Sequence, residues 1–180
     1  MSQKSGAFVI RNKKNLGYEK SIDIGFQFAV KKKNINVLIT YDGDDQFNPK
    51  DIPFFLKHID NGADIVVGKR EKMQRLSEFI FSFYTKIKYH INDPLCGLKA
   101  YKLWVYKELG YFDSYSSTGT ELLLYALKIS ATYKEQKVDI KSRVGETKFG
   151  SGIKPNFHIF RSLIFAIIRF DLFFSQIYKK

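Results

Sequence analysis

The sequence predicts an α/β domain built on a largely parallel sheet. Three observations predict it. Short apolar runs alternate with segments of helical length and periodicity. The run Val37-Leu38-Ile39-Thr40 has no charged or amide residue, as in a strand buried on both faces. That run ends at Tyr41 on clustered carboxylates, Asp42-Gly43-Asp44-Asp45-Gln46, where open α/β sheets bind ligands, just past a strand's carboxyl end.

The elements follow in order. Residues 15–33 read as a helix, because Ile22, Phe26, Ala29 and Val30 share a face and Lys31-Lys32-Lys33 suits the negative end of the helix dipole. Residues 37–41 form the first strand. Asn48 and Pro49 supply an N-cap and a first turn for a helix over 49–60, which Asn61-Gly62 closes. Residues 63–68 form a second buried strand ending in Lys69-Arg70. An aromatic-rich helix covers 75–90, a loop 93–97, a short strand 98–101 and a helix 103–109. Thr118 is the expected cap of a helix running to Ile129. Residues 137–144 alternate as a half-buried strand, and 145–152 form a loop. The expected division is a catalytic unit over 1–152 and an apolar, basic tail over 153–180.

That tail invites a membrane reading, but its uncharged stretch from Ser162 to Ile168 falls far short of the roughly 20 residues a membrane-crossing helix needs. It is expected either in a membrane interface or packed on the sheet or a partner, and both readings stay open.

Composition narrows the class. A chain of 180 residues with 44% hydrophobic content folds around a core and is not mainly disordered. One cysteine, Cys96, allows no internal disulfide and suits a reducing, cytoplasmic compartment. The first six residues lack the apolar core of a signal peptide. The formal charge of +12 is uneven: residues 1–33 carry eight Lys or Arg against two acids, 34–133 twelve against twelve, and 134–180 ten against four. Basic ends suit nucleic acid, an anionic membrane surface or phosphorylated substrates, but no nucleic-acid motif is present. Lysine supplies 24 of the 30 basic residues, so the six arginines carry more information. A guanidinium also grips phosphate through two parallel hydrogen bonds.

Asp42, Asp44 and Gln46 alternate, so an extended segment aims them to one side. Two carboxylates and an amide oxygen are hard donors suited to Mg²⁺ or Mn²⁺. The competing reading is an acidic turn that caps the following helix. Arg70 and Arg75 have their own bland reading, as surface partners of Asp64, Glu71 or Glu78. Arg143 reads equally as an edge-strand charge, Asp93 as a turn residue before Pro94, and Glu121 as an acid at a helix N-terminus. His58, His90 and His158 show no ligand spacing, and Cys96 has no basic partner that would activate it.

The ordered motifs DGDDQFNP, ADIVVGKR, RLS, DPLCGLKAY and RVGETKFGSG resemble the family 2 glycosyltransferases, in particular the polyprenyl-phosphate (dolichyl-phosphate) sugar transferases. The resemblance covers residues 15–152. It implies a Rossmann-like GT-A fold and a metal-dependent, inverting transfer of a hexosyl group from a nucleoside-diphosphate sugar. The implied acceptor is a polyprenyl phosphate or a glycan in cell-envelope or glycolipid synthesis, reached at the cytoplasmic face of a membrane. It implies Asp42 and Asp44 as Mg²⁺ or Mn²⁺ ligands. Gln46, Arg70, Arg75, Arg143 and Lys148 are the implied substrate-binding residues. Asp93 and Glu121 are the candidates for a base. Ser77, Gly97 and Lys99 also fall on the motifs. Nothing before Asn15 matches the family's opening P-x-Y-N-E and D-D-G-S turns, which bind the nucleoside. The expectation is therefore a chain that starts at the third element of the fold, truncated at its N-terminus. Such a chain would either act as a transferase with a partner segment or serve only as a binding or partner module.

Overall fold

The computed structural model describes residues 6–73, 75–141 and 153–178. The elements run α1 (Tyr18–Val30), β1 (Val37–Thr40), α2 (Ile52–Asp60), β2 (Ile65–Arg70), α3 (Leu76–Tyr89), β3 (Lys99–Lys102), α4 (Leu103–Leu109), α5 (Glu121–Lys128), β4 (Tyr133–Val138), α6 (Ile153–Ala166) and α7 (Phe174–Ile177). A 3-10 turn, Pro49–Asp51, leads into α2, and a π-helical segment, Ile167–Leu172, joins α6 to α7.

The strands form one sheet in the order β1-β3-β2-β4. β4 pairs parallel with β2, whereas β3 runs antiparallel to both β1 and β2. Three strands therefore share a direction, and β3 reverses between two of them. Alternation sorts the side chains onto two faces. Leu38, Ile65, Val67 and Tyr101 pack on one face with Phe26, Val105, Leu122 and Leu123. Val66, Ala100 and Val138 pack on the other with Phe55 and Ile59 of α2. Each fully buried aliphatic or aromatic side chain contributes about 1.5–3 kcal/mol.

Two expectations need correction. β4 begins at Tyr133, four residues before the alternating segment, because its register is set by pairing with β2 from Ile65–Tyr133 to Arg70–Val138. The N-cap position of α5 is Thr120, and the amides of Thr120 (3.0 Å) and Glu121 (2.8 Å) donate to Ser117 Oγ. Thr118 instead adopts φ 57°, in the left-handed region.

The tail packs and also exposes apolar surface. Ile159, Leu163, Ala166 and Phe170 bury against Phe81, Leu124 and Tyr125. Asp171 accepts from Tyr84 and Tyr89 on α3. Outward, α3 carries a stripe of Leu76, Phe79, Phe83 and Ile87, exposed by 58–69%. Phe157 and Ile164 on the adjoining α6 are similarly bare. Among the described residues no helix is long and apolar enough to cross a membrane.

Candidate functional site

Register assembles the site. Thr40 at the end of β1 lies beside Lys99 at the start of β3, and Lys99 lies beside Val67 of β2. The carboxylate turn after β1, Arg70 at the end of β2 and loop 93–97 before β3 therefore share one end of the sheet. Thr40 Oγ1 locks this alignment by donating to the Gly97 carbonyl (2.6 Å) and accepting from the Lys99 amide (3.1 Å).

The turn alternates as its spacing predicts. Asp42, Asp44 and Gln46 are half-buried, whereas Gly43 and Asp45 are exposed. Asp45 takes φ 60°, which bends the chain. The Gln46 amide donates to Asp44 Oδ1 (3.3 Å). Buried Phe47 anchors the turn, and its carbonyl accepts from the Tyr41 hydroxyl (2.7 Å). From the far side, the Lys141 amide donates to the Gln46 carbonyl (3.0 Å) and Lys141 Nζ to Asp45 Oδ2 (3.2 Å). Helix capping falls to Asn48, whose Oδ1 accepts from the Lys50 amide (3.1 Å).

Gly97 faces Asp42 so closely that a Cβ there would run into Asp42 Oδ2. The absent side chain is the space the carboxylate occupies. Among the described residues no cluster of three or more His, Cys, Asp or Glu side chains gathers to hold a metal. Asp42, Asp44 and Gln46 supply a small set of hard oxygen donors along one turn. Such a set fits Mg²⁺ or Mn²⁺, which completes its shell with water and substrate phosphates.

Arg70 and Asp93 form a buried pair. Arg70 Nε donates to Oδ2 (2.7 Å), Nη2 to Oδ1 (2.9 Å) and the Arg70 amide to Oδ2 (3.1 Å). Arg70 Nη2 also lies 3.2 Å from Glu78 Oε2, and Arg75 Nη1 lies 2.9 Å from Glu78 Oε1. Burial works against the Arg70 charge, but Asp93 and Glu78 outweigh it and hold the guanidinium protonated. Arg75, Arg70, Glu78 and Asp93 are thus one charge-balanced chain at the start of α3. Of the surface partners considered for the two arginines, Glu78 is the one engaged. Ser77 Oγ donates to Asn156 Oδ1 (2.6 Å), tying the start of α3 to α6.

Gly68 lies under the same loop. A Cβ there would sit 2.6 Å from Cys96 Sγ and 2.9 Å from the Leu98 carbonyl. Cys96 is fully buried, and burial pushes its thiol up to about 12, so it fills space and offers no thiolate.

Glu121 lies fully buried at the first residue of α5. Its carboxylate accepts from the Ser114 amide and hydroxyl, the Tyr178 hydroxyl (2.8 Å) and Arg169 Nη1 (2.9 Å). Burial raises its pKa even so. These partners come from loop 111–120 and the tail, and none of them belongs to the carboxylate turn. Arg143 and Lys148 lie outside the described residues.

The structure adds residues that no spacing in the sequence links to the turn. The Tyr18 hydroxyl, at the first residue of α1, lies within electrostatic reach of Asp42. Gly119 (φ 73°), before α5, packs against Tyr18 and Phe112 and offers its carbonyl to Lys99 Nζ (3.0 Å).

The profile described as glycosyl transferase family 2 matches residues 1–107. An uncharacterised protein of Methanocaldococcus jannaschii is 33% identical over 127 residues, covering 63% of this chain and 56% of its own length. A dolichyl-phosphate hexose transferase of Haloferax volcanii is 27% identical over 158 residues, covering 82% of this chain and 67% of its own. The chain spans about half the length of the first of these relatives. Among solved structures, glucosyl-3-phosphoglycerate synthase from Mycobacterium tuberculosis superposes with a TM-score of 0.57 at 13% identity, over 73% of this chain and 49% of that one. That likeness is one of fold, of the GT-A type. The chain belongs to glycosyl transferase family 2.

Proposed function

We propose that this chain carries the metal and diphosphate part of a donor site that transfers a sugar from a nucleoside diphosphate to a polyprenyl phosphate at a membrane face. The observation that supports the reading is that the Asp42–Gln46 turn and Arg70 lie at one end of the sheet, with Arg75 joined to Arg70 through Glu78. Asp42 and Asp44 would hold Mg²⁺ or Mn²⁺, which supplies charge neutralisation to the departing diphosphate. Gln46 flanks those ligands. Arg70 and Arg75 face the growing negative charge, and contacts of this kind are worth on the order of a hundredfold in rate. Arg143 and Lys148 join the phosphate-binding set by their place in the motif. An acceptor oxygen attacks the anomeric carbon opposite the leaving group. The new C–O bond forms as the bond to the diphosphate breaks, with inversion.

Asp93 and Glu121 both have their carboxylate oxygens occupied by internal donors. We read both as positioning residues, Asp93 for Arg70 and Glu121 for the tail. A phosphate acceptor is already anionic and needs no base, which supports the lipid-phosphate reading over a glycan hydroxyl. The bare apolar stripe of α3, beside Lys86 and Lys88, supports a membrane surface as the place of reaction. The dolichyl-phosphate substrate named for the Haloferax relative points the same way.

The test is titration of the purified chain with UDP-, GDP- and dTDP-sugars in the presence of Mn²⁺. Micromolar binding of one donor that Asp44→Asn abolishes is the expected result. Binding that is indifferent to Asp44 would overturn the assignment.

A second reading, a partner module without chemistry, has its own support. Among the described residues β1 pairs along one edge only, and a groove of about 420 Å³ runs between that strand and α1. Stable association through this edge, with no donor binding in any combination, would favour that reading.

A further inference from the structure

Among the described residues, Lys99 stands apart from the other cations of the site. The residue is 3% exposed. Among the described residues its ammonium donates to the Gly119 carbonyl (3.0 Å), and no carboxylate lies within ion-pair distance. The neighbouring cations are matched: Arg70 by Asp93 and Glu78, Arg75 by Glu78, and Lys141 by Asp45. The charged groups within electrostatic reach of Lys99 include Asp93, Asp42 and Arg70. Burial pulls its pKa down to about 8, against the opposing pull of Asp93 and Asp42. It is a desolvated positive charge on the residue paired with Thr40, two residues before Asp42, and it lies within electrostatic reach of that carboxylate. Two residues earlier on the same strand-loop, Gly97 cradles the Asp42 carboxylate itself.

A buried charge acts on its neighbours with little screening by salt. A divalent cation arriving alone at Asp42 and Asp44 meets their two negative charges and the positive charge of Lys99. A cation arriving with a diphosphate brings negative charge that Lys99 attracts. The same ammonium therefore opposes one species and favours the other.

We propose that Lys99 makes metal binding at the carboxylate turn conditional on a diphosphate, weakening the hold on a bare divalent cation and strengthening it on the metal–diphosphate complex. The inference rests on the donor-site reading above and adds a positioning residue that acts through Asp42. Such coupling between two ligands is reciprocal and commonly amounts to roughly 5- to 150-fold.

The test uses the purified chain, with Mn²⁺ followed by electron paramagnetic resonance and the Mn²⁺–pyrophosphate complex by calorimetry. Lys99→Gln keeps an amide donor for the Gly119 carbonyl and removes the charge, whereas Lys99→Arg keeps a charge. Lys99→Gln is expected to bind Mn²⁺ more tightly and Mn²⁺–pyrophosphate more weakly, lowering the ratio of the two affinities by about tenfold or more. Lys99→Arg should keep the wild-type ratio. If both affinities fall together in Lys99→Gln, Lys99 only braces the loop and the proposal is wrong. It is equally wrong if neither affinity moves. Should Lys99→Gln fail to fold, the wild-type ratio decides. A buried charge holds that ratio from low to high salt, and a ratio that collapses with salt overturns the proposal. Wild-type protein with no Asp44-dependent binding of either Mn²⁺ or Mn²⁺–pyrophosphate would overturn the donor-site reading itself, and this inference with it.

Discussion

Arg70 and Asp93, 23 residues apart in sequence, meet in a two-pronged contact in which both carboxylate oxygens accept from one guanidinium at 2.7 and 2.9 Å. The Asp93 side chain is 1% exposed and that of Arg70 13%. Removing one partner of such a pair strands a buried charge, typically at a cost of about 3–5 kcal/mol. Asp93→Asn should lower the urea midpoint accordingly without changing the slope of the transition. The double variant Arg70→Met with Asp93→Leu should cost less than Asp93→Asn alone. A double variant less stable than the single would show that the pair contributes net stability.

Gly97→Ala separates the site from the fold. Gly97 does not have the positive φ that strains an alanine, so the backbone accepts the methyl. The Asp42 carboxylate does not, and must swing away. Mn²⁺ affinity should drop by at least about tenfold, the loss of roughly 1.4 kcal/mol from one displaced ligand, while the thermal midpoint stays near that of wild type. Calorimetric titration and a melting curve on the same sample check both halves.

The α3 stripe predicts a membrane phenotype without a stability phenotype. Phe79 and Phe83 are 60% and 58% exposed, so replacing both with Ser removes little buried area. Co-sedimentation with anionic vesicles should weaken by roughly tenfold or more, given about 25 cal/mol for each Å² of apolar surface no longer buried in lipid. Unchanged sedimentation would remove α3 from the membrane-facing surface.

Asp64 sets an acid limit on stability. Burial raises its pKa, but hydrogen bonds from Thr132, Trp104 and Lys102 outweigh that and bring it to about 2, below the ordinary 3.8. The folded-state pKa is depressed, so the stabilisation is complete above pH 4 and is lost as pH falls toward 2. Solvent screens these contacts, so it amounts to about 1 kcal/mol. Urea midpoints measured across that interval should fall for wild type more steeply than for Asp64→Asn, which lacks the titrating group.

Much of this architecture was legible before folding. The Asn48–Pro49 start, the Asn61-Gly62 stop and the unbroken apolar run of β1 are local signals, and each element lies within a few residues of where those signals place it. β4 was misplaced because Tyr133 to Val138 reads Tyr-Lys-Glu-Gln-Lys-Val, with polar residues toward both faces. Only its pairing with β2 defines it. The Thr118 cap failed because the helix starts two residues later, at a Thr120 N-cap, and the Thr118 hydroxyl donates to the Ser117 carbonyl. At the site, the alternation of Asp42, Asp44 and Gln46 carried into the structure as alternating exposure. The engagement of Asp93 by Arg70, of Glu121 by Arg169 and Tyr178, and of Lys99 by Gly119 was not legible. Each is a contact between segments that no local spacing relates. The α3 stripe was hidden for the opposite reason, because inward Phe81 and outward Phe79 and Phe83 blur into one aromatic run.

The stripe on α3 also constrains how this segment can change length. The helix has 14 residues, a rod of about 21 Å. Arg75 stands at its head, joined to Glu78 within the first turn. Adding or deleting one residue inside the rod would rotate everything beyond it by about 100°. Leu76 and Phe79 would then face a different direction from Phe83 and Ile87, and the bare row would break into two. Substitutions that keep an apolar residue at those four positions are cheap, whereas single-residue insertions and deletions are not. Length is therefore the property of α3 that the bare apolar row and an arginine at its head jointly hold fixed.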